Sequence, residues 1–413
     1  MENLISGSAE TAPRPNLQNR TIGSGVMEGL IARWFKKIET GRLIIEFPSG
    51  RQEVFEGEFP GSEALLKINS FRVVHRLLIA GDTGLAEGYI EGEWETPDLA
   101  GLLTLGIINS ESFSSALRQS RVATWLSRCR HALRTNSKKG SRKNISAHYD
   151  LGNTFYRQWL DKTMSYSSGF FVDLNEDMEV AQRRKYIRMI QSLDLKRGDR
   201  ILEIGCGWGG FAELAADEYD CEVVGLTLSK EQATYACERM ARAGLSDKVD
   251  IRIQDYRDVT GKFDHIVSIE MFEAVGEEYW QTYLNVINER LKPGGRAALQ
   301  IITINDEYFE EYRSNPDFIQ RYIFPGGMLP SPTAFEGAVT KAGLSLAHSS
   351  FFGKSYGETL RRWDQSFREN WSGIEPLGFD QRFYRLWRYY LAYCEAGFNQ
   401  DKINIGHFVI QHR

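Results

Sequence analysis

The segment 200–210, Arg-Ile-Leu-Glu-Ile-Gly-Cys-Gly-Trp-Gly-Gly, constrains the fold of this chain more than any other. The apolar run 201–204 predicts a short buried strand of a parallel sheet. Glycines follow it at once, and residues 211–216 have the composition of a helix start. A strand, a glycine-rich turn and a helix bring free backbone N–H groups close to one point. The segment therefore predicts either a nucleotide-type cofactor site or merely a tight strand–helix turn.

The glycine spacing alone does not choose between these alternatives. Gly205, Gly207 and Gly210 satisfy the dinucleotide pattern G-x-G-x-x-G. A dinucleotide-binding fold also has an acidic residue about 20 residues further on, which binds the ribose. Residues 223–229 contain no acid. The segment thus lacks the acidic partner that a dinucleotide site needs.

Strand and helix patterns alternate after this point. The predicted strands are 200–204, 221–228, 249–255, 263–270 and 297–304, and the predicted helices are 208–219, 229–243 and 277–290. This alternation predicts a parallel sheet wrapped by helices, whose ligands bind beyond the C-terminal strand ends. The glycine corner, Thr227, Asp255 and Glu270 all fall at such ends. The strands predicted at 344–352 and 405–411 would form an antiparallel end of the sheet.

Six ordered segments resemble the cyclopropane fatty acid synthase family, which includes the mycolic acid cyclopropane synthases. They are His-Tyr-Asp-Leu-Gly-Asn at 148–153, Met-Ser-Tyr-Ser-Ser at 164–168, Glu-Ile-Gly-Cys-Gly-Trp-Gly at 203–209, Gly-Leu-Thr-Leu-Ser-Lys-Glu-Gln at 225–232, Met-Phe-Glu-Ala-Val-Gly at 271–276 and Arg-Tyr-Ile-Phe-Pro-Gly-Gly at 321–327. The likeness is strong over 144–413 and weaker over 25–110. It implies an α/β fold: a class I, Rossmann-like, S-adenosylmethionine-dependent methyltransferase domain preceded by a small α+β N-terminal domain.

Four regions follow from composition and resemblance together. Residues 1–24 are rich in Ser, Thr, Asn, Gly and Pro and predict a disordered lead. Residues 25–127 would form the N-terminal domain, which either engages lipid or a second subunit, or is a packing module without chemistry. Residues 128–143 are basic without any acid and predict a linker that attracts anionic headgroups. Residues 144–413 would form the catalytic domain.

Composition narrows the partners and the compartment. The net charge of −5 gives no general case for nucleic-acid binding. The five cysteines form no C-x-x-C pair, which argues against a zinc site or disulfide framework and suits a reducing cytosol. The first 20 residues do not resemble a signal peptide, and no apolar run approaches the ~18 residues that span a bilayer. With the resemblance, this predicts a cytoplasmic homodimer, peripherally associated with the inner face of the membrane.

The resemblance implies S-adenosylmethionine as the cofactor and assigns nine residues to it. They are Gly205 and Gly207 beside the methionine part, Thr227, Leu228 and Gln232 on the ribose and adenine side, Tyr256 against the adenine, Ile269 at the floor, and Tyr166 and Ser167 over the top. Periodicity alone would place Tyr256 and Ile269 in an ordinary core. Their aligned position in the family segments favours the cofactor role.

The predicted proton-accepting site is where this sequence departs from the family. The resemblance implies that bicarbonate accepts the proton, held by a Cys, a Glu, a His and a Tyr. Glu273 and Tyr356 match the Glu and the Tyr, whereas Ser168 replaces the Cys and Gln300 replaces the His. Ser and Gln still donate hydrogen bonds, but the imidazolium charge is lost. Two alternatives stay open: Glu273 holds bicarbonate, or Glu273 is itself the base.

The family implies methyl transfer to the double bond of an unsaturated acyl chain, with membrane phospholipid as the substrate. Loss of a proton from the added methyl group closes a cyclopropane ring. Loss of a proton elsewhere leaves a methyl-branched, methylene or furan-precursor chain, and the replacements at Ser168 and Gln300 raise the weight of this alternative. An alternative of another class is a non-catalytic lipid-binding protein that keeps the fold.

Overall fold

The computed structural model describes residues 22–117 and 151–413. Residues 1–21 of the predicted lead, the basic segment 128–143 and residues 148–150 of the first family segment lie outside these ranges. Across the described ranges, no helix is both long and apolar enough to cross a membrane.

The N-terminal part is built on a four-stranded sheet in the order β2-β1-β3-β4. β1 runs antiparallel to β2 and parallel to β3, and β4 is antiparallel to β3. The strands are β1 (Thr40–Glu46), β2 (Gln52–Glu56), β3 (Phe59–Ile68) and β4 (Trp94–Glu95). The helices are α1 (Ile22–Phe35), α2 (Arg72–Ile90), α3 (Leu99–Ile108) and α4 (Ser110–Leu117). The α2 helix bends at Gly81, whose backbone leaves the helical region.

The second part is built on a seven-stranded sheet in the order β10-β11-β9-β8-β5-β6-β7. Its strands are β5 (Arg200–Ile204), β6 (Glu222–Thr227), β7 (Val249–Ile253), β8 (Phe263–Ile269), β9 (Leu291–Ile304), β10 (Leu344–Phe351) and β11 (Ile403–His412). The pairs from β9 to β7 are parallel, and β11 is antiparallel to both β9 and β10. The predicted parallel sheet with an antiparallel end is confirmed.

The start of β9 is the strand boundary that differs most from the sequence prediction. β9 begins at Leu291 rather than at 297, so the segment Lys-Pro-Gly-Gly at 292–295, whose composition is typical of a turn, lies within the strand. The pairing with β8 shifts register there, between Phe263 and His265. A side chain on Gly295 would lie 2.2 Å from the carbonyl oxygen of Asp264. The glycine therefore permits a close backbone approach that continues the strand through an irregular region.

Helices cover both faces of this sheet. Three helices on one face bury Met189, Phe211 and Met240. Two helices on the other face bury Tyr283 and Phe335. The helices are α5 (Asn153–Arg157), α6 (Met178–Leu193), α7 (Gly210–Glu218), α8 (Lys230–Ala243), α9 (Trp280–Arg290), α10 (Asp306–Ser314), α11 (Phe318–Tyr322), α12 (Pro332–Lys341), α13 (Gly353–Glu369), α14 (Trp371–Ile374) and α15 (Gln381–Asn399). This arrangement is the expected Rossmann-like α/β fold.

The two parts share a hydrophobic core through α15. The ring of Tyr89 on α2 lies 5.8 Å from that of Tyr389 on α15 and 5.0 Å from that of Trp94. Arg385 donates hydrogen bonds to the carbonyl oxygen of Tyr89 (3.1 Å) and to the carboxylate of Glu95 (2.9 Å). Removing the N-terminal part would therefore expose aromatic surface of α15 to water.

Candidate active site

The glycine corner lies at the C-terminal end of β5, where α7 begins. Gly205 and Gly207 have φ values of 85° and 51°, in the left-handed region that favours glycine. A Cβ on Gly205 would lie 2.9 Å from Cγ of Met271, whereas a Cβ on Gly207 would meet nothing within 4 Å. Packing thus requires glycine at 205, and the side-chain direction of Gly207 opens into space that a ligand can fill.

A buried carboxyl group lies just before this corner. Glu203 is 2% exposed, and among the described residues its Oε2 has no hydrogen-bond partner. Burial raises the pKa of Glu203 to about 8. An unsatisfied buried acceptor at this corner is compatible with a cofactor that carries positive charge, as S-adenosylmethionine does at its sulfonium and its ammonium.

The next strand–helix turn holds the residues expected on the ribose and adenine side. The hydroxyl of Thr227 donates a hydrogen bond of 2.8 Å to Oε1 of Gln232, so the amide nitrogen of Gln232 is turned the other way. Ser229 caps α8 by accepting from the backbone N–H of Gln232. Leu228 is partly exposed between them. The turn and the glycine corner are adjacent because β5 and β6 pair in parallel.

Tyr256 begins the short 3₁₀ helix Tyr256–Asp258 that follows β7, and Ile269 is the last residue of β8. Tyr256 is buried, and its ring centroid lies 4.9 Å from that of Tyr283 on α9. Ile269 is partly exposed at the last position of β8. Both residues lie at the C-terminal edge of the sheet, where the glycine corner also lies.

Tyr166 and Ser167 connect this edge to the aromatic side chains of Trp363 and Tyr390, which form an aromatic wall. The hydroxyl groups of Tyr166 and Tyr390 are 2.9 Å apart, and the ring of Tyr166 stacks on Trp363 at 5.3 Å. The hydroxyl of Ser167 accepts a hydrogen bond of 2.6 Å from Nζ of Lys185, which is fully buried. Burial lowers the pKa of Lys185 to about 8.

Three of the four residues expected in the proton-accepting site converge on one carboxyl group, that of Glu270. The backbone N–H of Ser168 donates to its Oε1 at 2.8 Å, and the side-chain amide of Gln300 donates to the same oxygen at 2.7 Å. The phenol of Tyr356 donates to Oε2 at 2.6 Å. The hydroxyl of Ser168 is not part of this set, because it donates to the carbonyl oxygen of Gly169.

Glu273, the fourth expected residue, is buried near this cluster but makes none of these hydrogen bonds. Its Oε1 accepts from the backbone N–H of Ile302. Its Oε2 is buried without a hydrogen-bond partner in the described ranges. Burial and the neighbouring Glu270 raise the pKa of Glu273 to about 8, so the group is mostly protonated near neutral pH.

Comparison with known proteins assigns the family. A family model described as mycolic acid cyclopropane synthetase matches residues 136–408. The chain belongs to this family. As a member of it, the protein is an S-adenosylmethionine-dependent methyltransferase.

Individual family members resemble the chain over most of its length. A tuberculostearic acid methyltransferase of Mycobacterium tuberculosis is 37% identical over 335 residues, which cover 79% of this chain and 78% of the relative. A cyclopropane-fatty-acyl-phospholipid synthase of Escherichia coli is 35% identical over 336 residues, covering 80% and 83%. The crystal structure of the mycolic acid cyclopropane synthase CmaA1, complexed with SAH and CTAB, is similar with a TM-score of 0.62. That match has 29% identity and covers 65% of this chain and 98% of that one.

Three residues of this site have no chemical role predicted from the sequence. For Glu270, the available signal is its position at a strand end. His407 on β11 lies opposite Gln300, with its Nε2 2.8 Å from the amide oxygen of Gln300. No sequence pattern indicates a role for Lys185, because a lysine on an amphipathic helix is usually exposed.

A second concave region lies away from this edge. A cleft of about 310 Å³ is lined by residues that include Lys196, Asp199 and Lys292. These residues lie at the opposite, N-terminal ends of the parallel strands, whereas ligands of such sheets bind beyond the C-terminal ends. The glycine corner and the Glu270 cluster therefore define the candidate active site.

Proposed function

We propose that the protein transfers the methyl group of S-adenosylmethionine to a double bond of an unsaturated fatty acyl chain in membrane phospholipid. The observation that carries this proposal is the adjacency of the glycine corner to a hydrogen-bonded carboxyl group beside an aromatic wall. A Cβ on Gly205 would lie 2.9 Å from Cγ of Met271, the residue that follows Glu270. A methyl donor at the corner would therefore lie close to a group that can accept a proton.

The residues around the carboxyl group suit a reaction that develops positive charge on an acyl chain. S-adenosylmethionine, when bound, supplies an electrophilic methyl group on its sulfonium. The aromatic wall extends beside Glu270. The ring centroid of Tyr356 lies 4.5 Å from that of Phe398 and 6.2 Å from that of Trp363. Such faces attract positive charge and exclude the water that would capture a carbocation.

The proposed product is a cyclopropane fatty acyl chain. Ring closure requires that the proton leaves from the carbon that was the methyl group, while its bonding electrons join the cationic carbon. The carboxylate of Glu270 is the acceptor that the cluster offers. The likeness to the cyclopropane-fatty-acyl-phospholipid synthase supports this outcome.

A second candidate product has no ring. If the acceptor takes a proton from a chain carbon beside the cation, the electrons form a double bond in the chain and the product is a methyl-branched alkene. If a hydride first shifts from the methylated carbon to the cation, loss of a proton from the methyl group gives a methylene chain. Two observations favour this candidate: Ser168 and Gln300 stand in place of the expected Cys and His, and the relative with 37% identity is a tuberculostearic acid methyltransferase.

Lipid analysis of cells that express the full chain tests both candidates. We expect fatty acids that are one CH₂ unit heavier than an unsaturated precursor and that carry label from isotopic methionine. The isomers have equal mass, so dimethyl disulfide addition must separate them: it derivatises a double bond and leaves a cyclopropane unchanged. The control is the Gly207→Val variant, which should form neither product. Absence of any labelled lipid, despite cofactor binding, would favour a non-catalytic lipid-binding protein.

We also propose that the N-terminal domain (25–127) and the basic linker (128–143) bring the enzyme to anionic membrane, on the cytoplasmic inner face, as a homodimer. The shared core around Tyr389 makes a truncated fragment a poor test, because truncation would expose that core. A more specific test changes four basic residues of the linker together to Gln in the full chain: Lys138, Lys139, Arg142 and Lys143. Binding to phosphatidylglycerol vesicles should weaken and lose its salt dependence.

Neutral phosphatidylcholine vesicles are the control for this experiment. They should bind both proteins equally and show little dependence on salt. Equal binding of both proteins to the anionic vesicles at every salt concentration would contradict the proposed role of the linker. Sedimentation of the full chain in solution tests the homodimer separately.

A further inference from the structure

The Glu270 carboxyl group is held at both oxygens from three separate elements. Oε1 accepts from the N–H of Ser168, in the loop before α6, and from the amide of Gln300 on β9. Oε2 accepts from the phenol of Tyr356 on α13. Convergent donors of this kind form a site for one planar anionic O–C–O group.

These are three of the four residues to which the family resemblance assigns bicarbonate. Bicarbonate and a carboxylate both present a planar pair of anionic oxygens, and the same donors satisfy either. We propose that Glu270 replaces bicarbonate in this protein and is its built-in proton acceptor. This inference rests on the proposed methyl transfer, because it names the group that takes the proton released by that reaction.

The backbone at Glu270 supports the inference. Its φ of 52° lies in the left-handed region, which a glutamate rarely adopts. The backbone N–H of Glu270 donates to the carbonyl oxygen of Gln300 at 2.8 Å, which holds this conformation. Strained residues of this kind persist where the surrounding structure over-determines them, and they cluster at active sites. A glycine here would remove the strain and also the carboxylate.

The charges around the group are compatible with a base. Burial raises the pKa of Glu270 above its ordinary value, while Tyr356, Lys185, Ser168 and Gln300 act in the opposite direction. Burial and the adjacent carboxylate also keep Tyr356 protonated, because they raise its pKa. A carboxylate with a raised pKa accepts a proton more readily than one in water.

The proton transfer balances without any further reactant. Methyl transfer to the alkene leaves a carbocation on the acyl chain. A C–H bond of that cation then breaks, its electron pair forms the new C–C bond of the ring or a double bond, and the proton goes to a carboxylate oxygen of Glu270. The side chain ends as a neutral carboxyl, which must return the proton to solvent before the next turnover.

The test is the bicarbonate dependence of the purified full chain. Methyl transfer from labelled S-adenosylmethionine to vesicles of unsaturated phosphatidylglycerol is measured in buffer depleted of carbon dioxide, with and without added bicarbonate. We expect wild-type turnover to change less than about twofold. Glu270→Gly should lose about 10²–10⁴ in rate, as loss of a general base does, and added bicarbonate or formate should restore at least about tenfold of it. Glu270→Gln should be inactive without rescue, because its side chain still fills the space.

Asp194→Gly is the matched control. Asp194 is an exposed acid with a φ of 60°, so the change removes the same type of charge and the same strain far from the site. Its turnover should equal that of the wild type and should not respond to bicarbonate. Bicarbonate stimulation of the wild type by more than about tenfold, or undiminished turnover of Glu270→Gly, would overturn the proposal.

A binding measurement separates this inference from the proposed function. Titration of ¹³C-bicarbonate into the protein with bound S-adenosylhomocysteine, followed by NMR, needs no lipid substrate. We expect saturable binding to Glu270→Gly and none to the wild type. Saturable binding to the wild type would refute the replacement of bicarbonate, whatever lipid the enzyme uses. Failure of methyl transfer on every lipid, with this binding pattern intact, would instead refute the proposed function.

Discussion

His407 lies directly opposite Gln300 across the β11–β9 pair, and its Nε2 is 2.8 Å from the amide oxygen of Gln300. Burial lowers the pKa of His407 to about 3, so the ring is neutral and carries one N–H. Because the amide oxygen of Gln300 accepts from this ring, its amide nitrogen points to Glu270. His407 is thus a positioning residue for the carboxyl cluster.

We therefore expect His407→Leu to lower turnover by about tenfold, the size of effect that misorientation of one hydrogen-bond donor produces. Affinity for S-adenosylmethionine should not change. His407→Gln keeps an N–H donor and should recover most of the rate, which a merely structural role would not predict. His348→Leu, at an exposed position on β10, is the control. Equal rates for the Leu and Gln variants would contradict the positioning role.

The two neighbouring carboxyl groups should respond differently to amide substitution. Near neutral pH Glu273 is mostly protonated, and Gln has the same shape, so Glu273→Gln should lose less than about tenfold in turnover. Glu270→Gln should lose at least about a hundredfold. Steady-state rates on the same vesicles compare the two. The reverse order of effects would favour Glu273 as the base, which is one of the two alternatives that the sequence leaves open.

The pH dependence of stability should report the buried carboxyl of Glu273. Its folded-state pKa of about 8 lies above its ordinary value of 4.5, so between these values the folded state binds a proton that the unfolded state does not. This stabilisation is complete below pH 4.5 and is lost as the pH rises through about 8. It contributes a fall in the free energy of unfolding of up to about 1.4 kcal/mol per pH unit.

Urea denaturation at several pH values measures this effect. The free energy of unfolding of Glu273→Gln should fall less steeply than that of the wild type as the pH rises from 4.5 towards 8. Glu336→Gln, which removes an exposed acid from α12, should follow the wild type. Parallel curves for the wild type and Glu273→Gln would show that this carboxyl does not hold its proton in the folded protein.

The open space beside Gly207 predicts the effect of filling it. Gly207→Val should lower affinity for S-adenosylmethionine by at least about a hundredfold, because the side chain would enter the ligand space. Gly244→Val is matched for backbone strain, since Gly244 has a φ of 70° and open space around its would-be Cβ. Both variants should lose about 1–2 kcal/mol of stability. Calorimetry should show normal affinity for S-adenosylmethionine only in Gly244→Val. Normal affinity in both variants would show that the cofactor binds elsewhere.

The parallel sheet, the glycine corner and the family can be predicted from the sequence. These depend on signals within a few residues: the apolar run before Gly205, the glycine spacing, and strand and helix periods that a short segment expresses on its own. The residues expected in the proton-accepting site came instead from the family resemblance, and of Ser168, Gln300 and Tyr356 only Ser168 lies in one of its six segments.

Which carboxyl group these residues contact depends on the packing of distant segments. Glu270 and Glu273 follow the same strand, and no local pattern distinguishes them. The left-handed backbone at Glu270 and the short 3₁₀ turn Phe272–Val275 aim the first towards Ser168, Gln300 and Tyr356 and the second towards β9. Tyr356 is 86 residues from Glu270, and contacts over such separations arise from chain packing rather than from local periodicity. The role of His407 could not be predicted for the same reason, because the register of two strands sets its partner.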